Sequence, residues 1–137
     1  MAQVNGPGPS PANLFDVVLS LPGDEAAITG AADESIGGVP GQTTQLNVDD
    51  GGTIGFSFDA NSGSEVNITG GVVANNLSAN PDSEINISGG TIGNGVRAFD
   101  SAVLNISGGD FGPRGFGILR SVSAEAGSVV NITGGEF

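Results

Sequence analysis

The sequence predicts an all-β chain: a single-stranded parallel β-helix, or β-solenoid, with coils of about 19 residues and three short strands per coil. Three observations carry that expectation. The stretch Ser64 to Gly71, SEVNITGG, returns as SEINISGG at Ser83 to Gly90. Within it, apolar and polar residues alternate, which is strand periodicity. Glycine pairs and Asn-Pro or Ser-Gly steps interrupt every apolar run before it reaches helical length.

Aligning on the asparagine gives Leu46-Asn47-Val48, Val66-Asn67-Ile68, Ile85-Asn86-Ile87, Leu104-Asn105-Ile106 and Val130-Asn131-Ile132, with intervals of 20, 19, 19 and 26. The last four triplets are followed by Ser or Thr and a glycine pair; the first is followed by Asp49-Asp50 and then Gly51-Gly52. An apolar residue stands two places beyond each pair: Ile54, Val73, Ile92, Phe111 and Phe137. Eight places before a triplet comes a further short run, Phe58-Asp59-Ala60, Leu77-Ser78-Ala79 or Val96-Arg97-Ala98, with Val122-Ser123-Ala124 completing the series. Each coil thus inserts about five apolar side chains, such as Phe58, Ala60, Val66, Ile68 and Val73, worth about 1.5–3 kcal/mol apiece apart from the smaller alanine. One coil cannot offset its own ordering entropy, so stability must come from stacking.

Outside the repeat the chain divides into residues 1–13, a Gly/Pro-rich N-terminal arm, and residues 14–44, an N-terminal strand with an irregular cap. The apolar run Leu14 to Leu21 is expected to be the strand, and residues 22–44 an irregular lead-in that covers the first coil. Residues 45–137 are the solenoid, with an inserted loop at 112–121 that accounts for the one long interval. That loop holds Arg114, Phe116, Ile118, Leu119 and Arg120, a basic and apolar knob on an acidic chain and a candidate contact for another copy; a loop folded over its own coil is the competing reading.

The composition narrows the function. Fifteen carboxylates face only three cations, for a net charge of -12, and Lys, His, Cys, Tyr and Trp are all missing. Nucleic acid is an unsuited partner, because phosphate binding needs a basic surface. No run approaches the length of a membrane span. Without His, Lys, Tyr or Cys the available general bases are carboxylates, and pairs such as Asp59 with Asp82 or Asp100 with Asp110 arise by chance in so acidic a chain, so no enzyme is expected. No cofactor is expected either. Calcium is the one candidate ion, through oxygen clusters such as Asp49-Asp50 or Asp24-Glu25.

The stretch FDANSGSEVNITGG, Phe58 to Gly71, resembles the repeats of secreted right-handed β-helix proteins of planctomycete-like marine bacteria, in which VNISGG-type runs recur; TQLNVDDGGTIG, Thr44 to Gly55, is similar to the first coil of that family. The resemblance covers roughly residues 34 to 137. It implies the right-handed solenoid and an extracellular or cell-surface setting.

The asparagine column has two readings. Asn67, Asn86, Asn105 and Asn131 form either a stacked amide ladder with Asn47 or glycosylation sites, since each stands in an Asn-x-Ser/Thr sequon. Hydroxyls at Thr69, Ser88, Ser107 and Thr133 raise ice binding as a lesser alternative. The leading expectation is a non-catalytic structural protein that self-associates by end-to-end stacking of coils into a homo-oligomer or fibre. Its assembly interface is expected at Leu14, Phe15, Val17, Val18, Leu19 and Phe137, with the arm of one copy completing the last coil of the next. The alternative is a module of a larger secreted β-helix protein that binds or cleaves acidic polysaccharide, with glycan as the partner.

Overall fold

A computed structural model describes residues 16–21, 27–28, 34–38, 40–41, 43–54, 57–112 and 121–137, with the backbone alone for 16–21, 27–28, 34 and 121. The chain is a parallel β-solenoid. One sheet contains the longer strands, β1 (Asp16–Leu21), β4 (Thr43–Val48), β7 (Ser64–Ile68), β10 (Glu84–Ile87), β13 (Val103–Ile106) and β16 (Val129–Ile132), hydrogen-bonded in that order. A second sheet stacks the two-residue strands β2 (Ala27–Ile28), β5 (Thr53–Ile54), β8 (Val72–Val73), β11 (Thr91–Ile92) and β14 (Asp110–Phe111). The third holds β3 (Glu34–Ile36), β6 (Phe58–Ala60), β9 (Leu77–Ala79), β12 (Gly95–Ala98) and β15 (Ser121–Ala124).

Register follows the repeat residue by residue. Asn67 pairs with Asn47 and Asn86, and Asn105 with Asn86 and Asn131. Every second residue therefore points inward, and like side chains form columns through the rod. Leu46, Val66, Ile85 and Leu104 make one; Val48, Ile68, Ile87 and Ile106 a second; Ile54, Val73, Ile92 and Phe111 a third. All of these are buried, as are Phe58, Leu77 and Val96 and the alanines Ala60, Ala79 and Ala98 that sit beside them on the third sheet. Bulky and small columns alternate because three short strands enclose a narrow interior in which a large side chain on one wall needs a small one near the corner.

The corners explain the glycines. Coil-to-coil backbone bonds continue straight through them, with the amides of Val72, Thr91, Asp110 and Glu136 donating to the carbonyls of Gly52, Gly71, Gly90 and Gly109 at 2.9–3.0 Å. The backbone of one corner thus lies directly on the next. A Cβ at Gly89 would overlap the carbonyl oxygen of Thr69. At Gly90 the same overlap with Gly70 is joined by a left-handed φ of 80°, which disfavours any side chain.

A four-residue turn joins the third sheet to the first in the coils from β6 onward. The amides of Ser64, Ser83, Ala102 and Ser128 donate to the carbonyls of Asn61, Asn80, Phe99 and Glu125 at 3.0–3.1 Å. Ser64 and Ser83 are buried in the wall, where the Oγ of each donates to that same carbonyl, at 2.5 and 2.7 Å respectively. Ala102 fills the equivalent place in the next coil without a hydroxyl to satisfy.

The solenoid begins a coil earlier than the sequence pattern indicates. Within the stretch expected to be an irregular cap, β2 pairs with β5 and β3 with β6, while β1 pairs with β4 over six residues from Asp16↔Thr43 to Leu21↔Val48. The signature residues are replaced at these positions. Ser20 stands opposite Asn47, and Glu34 stands where the next coil has Phe58. Backbone pairing holds the register without them. The expected arm at 1–13 and most of the inserted loop lie outside the described residues.

Candidate functional site

The outward face of the first sheet carries a continuous line of amides. Nδ2 of Asn67 donates to Oδ1 of Asn47 at 3.1 Å, that of Asn86 to Asn67 at 3.0 Å, that of Asn105 to Asn86 at 2.8 Å, and that of Asn131 to Asn105 at 2.8 Å. The strands place these side chains about 4.8 Å apart, the separation at which stacked primary amides bond in line. Neighbouring carboxylates take up remaining donors: Glu65 Oε1 accepts from Asn67 at 2.9 Å and from Gln45 Nε2 at 3.4 Å, and Glu84 Oε1 accepts from Asn105 at 3.2 Å.

Two shorter ladders escaped the sequence reading. Asn80 Nδ2 donates to Asn61 Oδ1 at 2.8 Å at the corner after the third sheet, and Asn94 Nδ2 donates to Asn75 Oδ1 at the corner after the second. The signal was there, since both pairs are 19 residues apart. Only two asparagines stand in each column, so the repeat alignment did not single them out.

All three ladders run the same way, each later coil donating to the earlier one. The Oδ1 of Asn131 accepts no bond among the described residues. Around it, Val129 and Ile132 are half-exposed and Phe137, at 49 % exposure, stacks on Phe111 with centroids 4.7 Å apart and rings inclined by 10°. Val122 and Val130 are partly covered by the core beneath. This edge offers the next coil the same columns that each internal coil offers its neighbour.

The expected interface residues are distributed differently from one another. Val17, Val18 and Leu19 lie in β1, opposite Thr44, Gln45 and Leu46 of the same chain, so this strand is part of the rod instead of a detached element. The winding brings it there: β2 and β3 carry the chain through the other two sheets between β1 and β4, so one full turn sets β1 against the edge of β4. Leu14 and Phe15, like Arg114, Phe116, Ile118, Leu119 and Arg120, lie outside the described residues.

The sequon asparagines are the ladder asparagines. A glycan is attached through Nδ2, and in Asn67, Asn86, Asn105 and Asn131 that atom is donating to the coil below. The hydroxyls of Thr69, Ser88, Ser107 and Thr133 lie 3.4–3.5 Å from the carbonyl oxygens of Val48, Ile68, Ile87 and Ile106, and Thr69 also donates to Asp49 at 2.5 Å. Of the four, only Thr69 has a short side-chain partner. Of the carboxylate pairs, Asp100 and Asp110 are separated by the whole of β13, and Asp59 lies on β6 while Asp82 lies in the turn after β9. Among the described residues no group of three or more acidic side chains is arranged to hold a metal ion, and no helix is long and apolar enough to cross a membrane.

These features define the class: a parallel β-solenoid repeat protein whose outer wall is bound by asparagine ladders. Comparison with protein-family models, with curated proteins and with solved structures returns no match.

Proposed function

We propose that this chain is a non-catalytic structural protein of the cell surface or extracellular matrix whose coils stack end to end between copies, building rods or fibres. One observation carries the reading: the two faces of the internal coils are complementary to each other, in strand register, in apolar columns and in the one-way donation of the asparagine amides. A surface that binds its own copy once per coil within the chain has the chemistry to bind it between chains. The docking edge is that of β16, with Asn131, Val129, Ile132 and Phe137, and the complementary edge is that of β1, with Val17, Val18 and Leu19 in its register. Such an interface is heterologous and does not close on itself, so it extends into a filament. The resemblance to secreted β-helix repeats supports the extracellular setting. The basic loop with Arg114 and Arg120 is assigned to contacts with the acidic flank of a neighbouring copy.

Negative-stain electron microscopy with light scattering on the purified chain tests this. Rods of uniform width and growing length are expected, and removal of residues 1–21, which takes away β1, is expected to leave short or monomeric particles. Monodisperse monomers of the full chain at all concentrations would reject the reading.

A further inference from the structure

The flank formed by the third sheet has a different character from the asparagine wall. Its outward column runs Ser35, Asp59, Ser78, Arg97, Ser123, and Arg97 is the only cation among the described residues. In a chain with fifteen carboxylates and three cations, electrostatics favours pairing every arginine. Arg97 is nevertheless exposed and has no carboxylate partner among the described residues. Its Nε donates to Ser123 Oγ at 3.4 Å, and its guanidinium carbon lies 5.5 Å from the centre of the Phe99 ring. The ring holds the guanidinium on one side through a cation–π contact and leaves its terminal nitrogens free.

Those nitrogens border an open groove of about 220 Å³ lined by Asn76, Ser78, Arg97 and Ser123, with Leu77, Gly95 and Val96 as its remaining wall. That is below the roughly 300–1,000 Å³ of sites for drug-sized ligands, so the groove fits a single small unit. The lining is one fixed positive charge surrounded by hydroxyls and an amide. A carboxylate matches the guanidinium fork, and ring hydroxyls match the two serines and Asn76. A single charge among neutral donors suits a monoanion better than a phosphate or a sulfated run, and the net charge of -12 opposes any long polyanion. We infer that this groove binds a carboxylate-bearing sugar residue, a uronic acid, with Arg97 holding the carboxylate and Ser78, Ser123 and Asn76 the hydroxyls. The rod would then carry a weak contact for a single uronic acid residue on its side, independent of whether its ends stack.

The test is an ¹⁵N–¹H NMR titration of the full chain with sodium glucuronate, with glucose and sodium acetate as controls, at low and moderate ionic strength. Saturable shifts at Asn76, Ser78, Arg97 and Ser123 are expected with glucuronate alone, weaker at higher salt. Arg97→Gln, with its other resonances unmoved, is expected to weaken binding about tenfold or more, as loss of a charge-assisted bond does. Ser78→Asp, which places a competing carboxylate in the groove at a half-buried, outward-facing position, is expected to abolish it and serves if the first variant is unstable. Equal response to acetate would mean an adventitious ion only and would overturn the inference, as would equal response to glucose or an unchanged Arg97→Gln. Shifts at these residues that follow protein concentration instead of glucuronate would assign the groove to a second copy and overturn it as well. Since the readout is at the flank, failure here leaves the end-to-end reading standing.

Discussion

At the scale of single residues, the corners and ladders set the sharpest constraints. Gly89 has no room for a Cβ against the Thr69 carbonyl, so Gly89→Ala must push two backbones apart; a loss of about 2 kcal/mol or more in urea unfolding is expected, with a carbonyl overlap that no rotamer can relieve. Ser101 is the opposite case. It sits at φ 57° in the turn after β12, in a place where Gly63 and Gly127 serve two other coils and Asp82, at φ 60°, a third, and a left-handed L-residue costs about 1–2 kcal/mol. Part of that gain is returned as glycine's chain entropy, so Ser101→Gly is expected to stabilise by about 0.5–1 kcal/mol. A lowered midpoint would show that the Ser101 side chain contributes more than its backbone strain costs. In the ladder, Asn86→Asp keeps size and acceptor but removes the donor to Asn67 and sets a charge facing an acceptor; a loss of about 1–3 kcal/mol is expected, and no loss would mean that the ladder is ornamental to stability.

At the scale of the element, the unit is the coil. Because Leu77↔Val96, Ser78↔Arg97 and Ala79↔Ala98 are in register, removing residues 77–95 joins Asn76 to Val96 and brings Asn67 opposite Asn105, with the long asparagine ladder and the inward columns intact and only the two short corner ladders lost. This deletion is expected to leave a folded, shorter solenoid with the same circular dichroism per residue and a smaller urea m-value, in proportion to the surface lost. Deleting a part-coil of similar size, which shifts inward residues outward, is expected to unfold the chain. The first coil shows the same logic from the other direction. Its strands β1, β2 and β3 keep register with β4, β5 and β6 although Ser20 and Glu34 replace the signature asparagine and apolar residue. Backbone pairing tolerates substitutions that pattern recognition does not.

At the scale of the whole molecule, charge opposes the assembly that shape favours. Each copy carries -12, and two copies meeting end to end bring like fields together. Salt shortens the screening length from about 30 Å at 0.01 M to about 8 Å at 0.15 M, so rods are expected to lengthen as ionic strength rises over that range, read by light scattering at fixed protein concentration. Rods that shorten with salt would point to contacts made by the few cations instead of by stacked apolar columns. The two proposed surfaces, edge and flank, therefore respond to salt with opposite sign.

The amino-acid sequence by itself determined the solenoid, its period, the asparagine column and the inward residues of the coils from Leu46 onward, because those depend on local alternation and on residues that recur at a fixed interval. Only the tertiary structure decided the rest. Where Glu34 and Ser20 stand in a coil, nothing local marks them, and their place follows from hydrogen bonds to strands more than twenty residues away. The same holds for the one-way sense of the amide ladders and for the groove at Arg97, which is assembled from three successive strands, β9, β12 and β15, with Asn76 at its margin. Periodicity tells which residues share a column; which atoms meet between columns is fixed only when the coils are stacked.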